Sequence, residues 1–140
     1  KYHFNQLVTD LSYRYMTDDW AIDSHTTDVK FRYLLNDDRY LEPHLRYYQQ
    51  DKAHFYRPFL NQGEALPAFA SADYRIGEMD AITLGLKYGI PLDGGNKLSF
   101  RVEYYLQTPK SNGTEAIGVL NELDIYPEID ALILQVNYSF

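Results

Sequence analysis

Cysteine is absent from these 140 residues. With it go a disulfide scaffold, a thiolate zinc site and a cysteine nucleophile. Basic charge is in the minority: 13 Lys and Arg stand against 20 Asp and Glu, for a net charge of −7. That balance argues against a nucleic-acid partner, whose phosphates need clustered Lys and Arg. No apolar run approaches the roughly 18 residues of a membrane-spanning helix. Helical periodicity is missing too; its best candidate, Asn112 to Glu122, is broken by Gly113 and Gly118 and lacks an apolar stripe. No tandem repeat, low-complexity tract or domain boundary is visible. The start, Lys1-Tyr2-His3-Phe4, has neither Met nor a signal peptide, which predicts that residue 1 is internal to a longer protein.

What the chain has is tyrosine, 14 of them, and alternation of period two. Six strands are predicted, at about Leu7–Met16, Asp28–Leu35, Leu41–Tyr48, Ile82–Pro91, Leu98–Gln107 and Leu132–Phe140. Asn36-Asp37-Asp38 and Asp93-Gly94-Gly95-Asn96 read as tight turns, built from residues that tolerate positive φ. The other connections, about 17–27, 49–81 and 108–131, are longer. Short links alternating with long ones are expected of an up-and-down meander whose rims face different compartments.

Parity sorts the side chains. One row carries Leu7 to Tyr15, Val29 to Leu35, Leu41 to Tyr47, Ile82 to Ile90, Leu98 to Leu106 and Leu132 to Phe140 at every second residue, and none of its 28 positions is charged. The opposite row has ten charges: Asp10, Arg14, Asp28, Lys30, Arg32, Glu42, Arg46, Lys87, Arg101 and Glu103. One face must meet an apolar medium and the other water or ion pairs. A soluble barrel would turn the apolar row inward; a transmembrane barrel would turn it to lipid and line its lumen with the charges. Aromatics in the apolar row gather near strand ends (Tyr13, Tyr15, Tyr33, Tyr47, Tyr88, Tyr104, Tyr138, Phe140), with Phe31 and Phe100 the mid-strand exceptions. Two aromatic girdles around an aliphatic band belong to a bilayer. Strands of eight to ten residues also approach the roughly 9–11 that cross one. Since single-chain barrels begin at about eight strands, six predict the C-terminal portion of a larger barrel.

The last strand, with Val136, Tyr138 and a terminal Phe140, resembles the C-terminal signal that assembly machinery reads on bacterial outer-membrane barrels. That resemblance implies a periplasmic C-terminus, periplasmic tight turns and long loops facing outside. The stretch Leu41-Glu42-Pro43-His44-Leu45-Arg46-Tyr47-Tyr48-Gln49-Gln50 with His54-Phe55-Tyr56, and Ser71-Ala72-Asp73-Tyr74-Arg75-Ile76 leading into Thr83-Leu84-Gly85-Leu86-Lys87-Tyr88, resemble a bacterial family of outer-membrane proteins. It is the domain-of-unknown-function family thirty-five seventy, matched over roughly Arg39 to Phe140. Its members are longer than this chain, and it brings no established activity.

The ten charges are the candidate lumen lining. They could select solutes, or form a cross-strand salt-bridge ladder that stiffens the interior. His44 shares their row, yet no serine with a base partner accompanies it, so no enzyme is expected; an outer-membrane lipid hydrolase is the third reading. Phe55, Tyr56, Phe59 and Phe69 mark the connection at 49–81 as a candidate partner loop, or one packed over its neighbours. The acidic runs Asp18, Asp19, Asp23 and Glu122, Asp124, Glu128 lack calcium-loop spacing, so no metal and no cofactor are expected. Pro43 inside a strand predicts a bulge.

The fold expected is therefore all-β, an antiparallel up-and-down transmembrane barrel in which residues 1–140 form the C-terminal part of one domain. The function expected is structural, porin-like, or a scaffold for a surface or periplasmic protein. Its other partners would be the outer-membrane bilayer and the barrel-assembly machinery. The alternative is a soluble barrel around a lipophilic ligand.

Overall fold

A computed structural model describes residues 1–110, 118–123 and 126–140. Seven strands follow one another: β1 (Tyr2–Phe4), β2 (Leu7–Thr17), β3 (Asp23–Leu34), β4 (Tyr40–Gln50), β5 (Met79–Pro91), β6 (Lys97–Pro109) and β7 (Ile129–Ser139). Each pairs antiparallel with the next in a single open up-and-down sheet. The six predicted strands are present and a short one precedes them. It was missed because the turn at Asn5-Gln6 has no glycine; Asn5 takes the left-handed φ of 51° instead.

Three tight turns share one rim, at 5–6, 35–39 and 92–96. Asp37 and Asp38 in the second and Gly94 and Gly95 in the third hold positive φ, which sterics allow cheaply only for Gly, Asn and Asp. The first connection on the other rim is shorter than expected, residues 18–22 in place of 17–27. Asp18 Oδ1 accepts hydrogen bonds from the backbone N–H of Trp20 at 2.9 Å and Ile22 at 3.0 Å. That closes a compact turn and lets β3 begin at Asp23. The candidate helical stretch after Asn112, up to residue 117, and Asp124 lie outside the described residues.

Pro43 makes no bulge. Lys30 faces His44 on one side of it and Tyr33 faces Leu41 on the other, in one unbroken register. Pairing of Pro43 with Leu86 on β5 continues through. Its missing N–H falls on the β3 side, where the ladder skips two pairs without shifting.

The two faces differ in exposure as well as composition. On the apolar face Leu11, Leu84, Leu134 and Val136 are 64, 52, 74 and 66 % exposed; on the other, Thr26, Glu42, Gln50 and Ser99 are 7, 7, 6 and 8 % exposed. The register aligns Phe4, Tyr33, Tyr88 and Phe100 in one row across the apolar face. Tyr13 and Tyr47 flank Thr27 in another, with Tyr15 two residues further out. Between them Leu11, Val29, Leu45, Leu84 and Leu132 form an aliphatic row. Two aromatics change places relative to expectation. β6 runs on to Pro109, so Phe100 falls in an outer row beside Tyr88 and Tyr104 falls among the leucines. Because the strands run further than predicted, Asp80 and Asp130 also occupy this face, next to the long-connection rim.

Above that rim the connection 51–78 packs on itself. Ile22, Ala53 and Tyr56 form a small buried core, with Phe55, Ile76 and Tyr126 against it. Its backbone is pinned by Arg57 N–H to Ser71 O (2.9 Å), Ser71 N–H to Phe55 O (3.1 Å) and Ala53 N–H to Ile76 O (2.9 Å). Gln50, at the end of β4, donates to the carbonyls of Arg75 and Gly77 at 3.0 and 2.9 Å, tying this cap to the sheet.

Candidate functional site

The pairing register puts all ten charges of the polar row on one face, in tiers running across the strands. The central tier is Asp10, Lys30, His44, Gly85 and Glu103. His44 Nε2 lies 2.9 Å from Asp28 Oδ2, and its Nδ1 lies 2.8 Å from Glu103 Oε1. Glu103 belongs to β6, two strands away. The reach across β5 depends on Gly85: a Cβ there would stand 2.9 Å from Glu103 Cγ and Oε1 and 3.3 Å from His44 Cβ. Glycine inside a strand here marks a close approach. Lys30 Nζ adds a contact to Asp28 at 3.3 Å and Arg101 Nη1 one to Glu103 at 3.7 Å, so a chain of charge runs Lys30–Asp28–His44–Glu103–Arg101. Both ring nitrogens of His44 face carboxylates, and neither faces a serine.

Two residues nearer the tight turns along each strand stand Arg32, Glu42, Lys87 and Arg101. Arg32 gives both Nε and Nη2 to Glu42 Oε2 at 2.6 Å. Its guanidinium also sits 4.4 Å from the centre of the Tyr40 ring, with Lys87 Nζ at 5.7 Å, close enough for cation–π attraction. The Tyr40 ring lies across Gly89, where a Cβ would be 2.0 Å from the ring edge.

Acids on this face are mostly engaged: Asp28, Glu42 and Glu103 as above, and Asp10 with Lys1 at 3.5 Å. Bases are in surplus. Among the described residues Arg14, Arg46 and Lys87 make no ion pair. Two hollows result. One of about 370 Å³ lies nearer the long connections and is lined by His44, Arg46, Tyr48, Thr83, Glu103 and Tyr105. The other, about 240 Å³, is framed by Asp10, Lys30, Arg32, Glu42, Lys87 and Arg101. No group of three His, Asp or Glu among the described residues is arranged to hold a metal ion.

The remaining sequence candidates are elsewhere. Val136 and Tyr138 sit on the apolar side of β7 opposite Phe100 and Leu98. Phe140 follows, 99 % exposed, its ring 6.2 Å from that of Tyr138. Of the loop aromatics, Tyr56 is buried, Phe55 and Phe59 are half-buried, and Phe69 is 78 % exposed. Sequence reasoning passed over Tyr40, Gly85 and Gly89. The two glycines, four residues apart inside one strand, were the available signal.

Fold and site together define an all-β meander protein whose sheet has one exposed apolar face and one ion-paired polar face. The chain belongs to the family described as Protein of unknown function (DUF3570), whose pattern matches residues 1–140. The match is wider than the stretch from Arg39 onward that carries the resemblance. No curated protein and no solved structure matches the chain.

Proposed function

We propose that this sheet is part of the wall of a bacterial outer-membrane β-barrel, a porin-like conduit with its apolar face in lipid and its ionic face lining the lumen. The inversion of exposure carries this reading. Withdrawing one Leu, Val or Phe side chain from water is worth about 1.5–3 kcal/mol. A face on which Leu11, Leu84, Leu134 and Val136 stay more than half exposed forgoes that many times over unless an apolar medium covers it. Aromatic rows on either side of an aliphatic one suit the two interfaces of a bilayer. Strands of 11–13 residues, tilted by about 40°, would span roughly 28–34 Å at about 3.4 Å per residue, enough for the apolar band.

Hydrocarbon does not tolerate the unpaired edges of β1 and β7, so closure requires further strands, which the barrel-assembly machinery would join after reading Val136, Tyr138 and Phe140. The tight-turn rim and the C-terminus are then periplasmic. A second role, holding a surface partner, is favoured by one observation: Phe69 and Leu66 project from the connection 51–78 at 78 and 81 % exposure.

The test uses the full-length protein: membrane fractionation, gel migration in detergent with and without boiling, then planar-bilayer recording. Outer-membrane location, heat-modifiable migration and discrete conductance steps are expected. A soluble, lipid-free protein would overturn the reading. A membrane-embedded barrel without conductance would leave only the scaffold role.

A further inference from the structure

The chain as a whole is acidic, yet the strands put seven bases on this face, Lys97 of β6 included, against four acids. More telling than the count is how the acids are spent. Glu103 gives its Oε1 to His44, and Arg101 reaches it only at 3.7 Å. Glu42 stands opposite Lys87 in the register, but its Oε2 already receives two N–H groups from Arg32 at 2.6 Å. Lys87 and Arg101 are therefore left directly opposite one another on β5 and β6, on the same face. Like charges directly opposed across two strands repel; Lys87 makes no ion pair, and Arg101 has only the long contact to a Glu103 oxygen that His44 already holds. Both frame the hollow of about 240 Å³, in which Lys30, Arg32, Lys87 and Arg101 outnumber Asp10 and Glu42.

We infer that this hollow is an oxyanion subsite: a small phosphate- or carboxylate-type anion sits between the Lys87 ammonium and the Arg101 guanidinium, and the conduit prefers anions. The inference rests on the conduit reading of the preceding subsection. A guanidinium offers a planar fork of N–H donors matched to an oxyanion, and an ammonium supplies a compact charge beside it. The hollow lies below the roughly 300 Å³ at which sites for drug-sized ligands begin, so its occupant is small. Its location on the polar face excludes the lipid headgroup as the source of that anion. Towards the long-connection rim Arg46 and Arg14 continue the run of unpaired cations. Together with Lys87 they give an entering anion successive weak sites, the arrangement that permits conduction as well as capture.

Full-length protein in planar bilayers, under a potassium chloride gradient and then with millimolar inorganic phosphate added, tests this. A reversal potential showing chloride preferred over potassium is expected, with phosphate reducing the chloride current. The double variant Lys87→Gln, Arg101→Gln should lower the chloride preference about threefold or more and abolish the phosphate effect, since it removes the two charges nearest the path. Exchanging the pair, Lys87→Arg with Arg101→Lys, should restore both properties. Channels that prefer potassium, or that ignore phosphate, or whose preference survives the double variant, would overturn the oxyanion subsite while leaving the conduit intact. Absence of channels altogether would overturn the conduit reading and the subsite with it. Should the double variant lose heat-modifiable migration, the wild-type reversal potential, the phosphate effect and the exchanged pair still decide.

Discussion

Two neighbouring tiers of one wall, two residues apart along each strand, handle half-buried charge in opposite ways. In the His44 tier a single imidazole joins Asp28 of β3 to Glu103 of β6, and Gly85 supplies the space. In the Lys87 tier Arg32 takes Glu42, Arg101 reaches Glu103 of the other tier only at 3.7 Å, Lys87 has no carboxylate, and Lys87 and Arg101 oppose each other. The first tier spends its polar groups on one another and braces four strands. The second keeps donors in hand. A wall built only for stiffness has no reason to include the second arrangement, because like charges opposed in a sheet cost stability.

The largest effect should come from closing the spaces that glycine leaves. In Gly89→Val the new Cβ meets the Tyr40 ring at 2.0 Å, a rigid aromatic under Arg32 and Lys87 that must give up its place there to make room. Overpacking of this kind costs about 1–3 kcal/mol or more, read as a lower urea midpoint of unfolding. Gly85→Ala asks less, since Glu103 can swing away, but only by abandoning His44; about 1 kcal/mol is expected. Equal midpoints for Gly85→Ala and wild type would show that the bridge across β5 contributes nothing.

Deleting one member from each tier sharpens the contrast. His44→Leu leaves Asp28 and Glu103, both partly buried, with only their longer contacts to Lys30 and Arg101, and about 1–3 kcal/mol should be lost. Lys87→Met removes a cation with no carboxylate partner and relieves its opposition to Arg101, so stability should stay within about 0.5 kcal/mol or rise. If the two variants destabilise alike, the tiers are not different in kind. Smaller again is the contrast within the cap. Tyr56→Ala, at a buried ring, should make residues 51–78 readily cleaved by protease, whereas Phe69→Ala, at an exposed one, should leave cleavage unchanged.

Much of the wall was legible in the sequence because strand parity is unforgiving: a slip of one residue would have put Lys30, Arg32 and Arg101 on the apolar face. That is why the sequence alone gathers the ten charges on one face. The strand ends were less legible. Asp23 to Thr27 are polar on both faces and show no alternation, yet pair with Tyr13 to Thr17, because the hydrogen-bonded turn at Asp18 sets the register from outside the strand. Pairings within the site were hidden for a different reason. Which acid His44 takes, and that it takes one from two strands away, depends on the missing side chain at Gly85, and a pattern of apolar and polar letters carries no volume. The partner loop was half legible: its aromatics signal packing, but only the fold separates buried Tyr56 from exposed Phe69.

The weakest link is in the cap, and it carries a pH signature. Arg75 donates its backbone N–H to Asp73 Oδ1 at 3.0 Å, and its guanidinium grips the same carboxylate, with Nη2 to Oδ2 at 2.5 Å. The Arg75 side chain, first by its hydrogen bond, holds the Asp73 carboxyl at about 2, well below the ordinary 3.8. A depressed carboxyl stabilises the fold in its charged form. Its contribution is thus fully present above the ordinary value and is lost as the pH falls through about 2. The pair is exposed to water, so screening keeps the contribution small and confines it to the turn at Tyr74–Ile76. Amide exchange at Arg75 should therefore lose protection between about pH 4 and pH 2 while the amides of β5 and β6 keep theirs. Asp73→Asn should show the lowered protection already at neutral pH. Unchanged protection in that variant would mean that the Ala53–Ile76 backbone bond holds the turn without help from the ion pair.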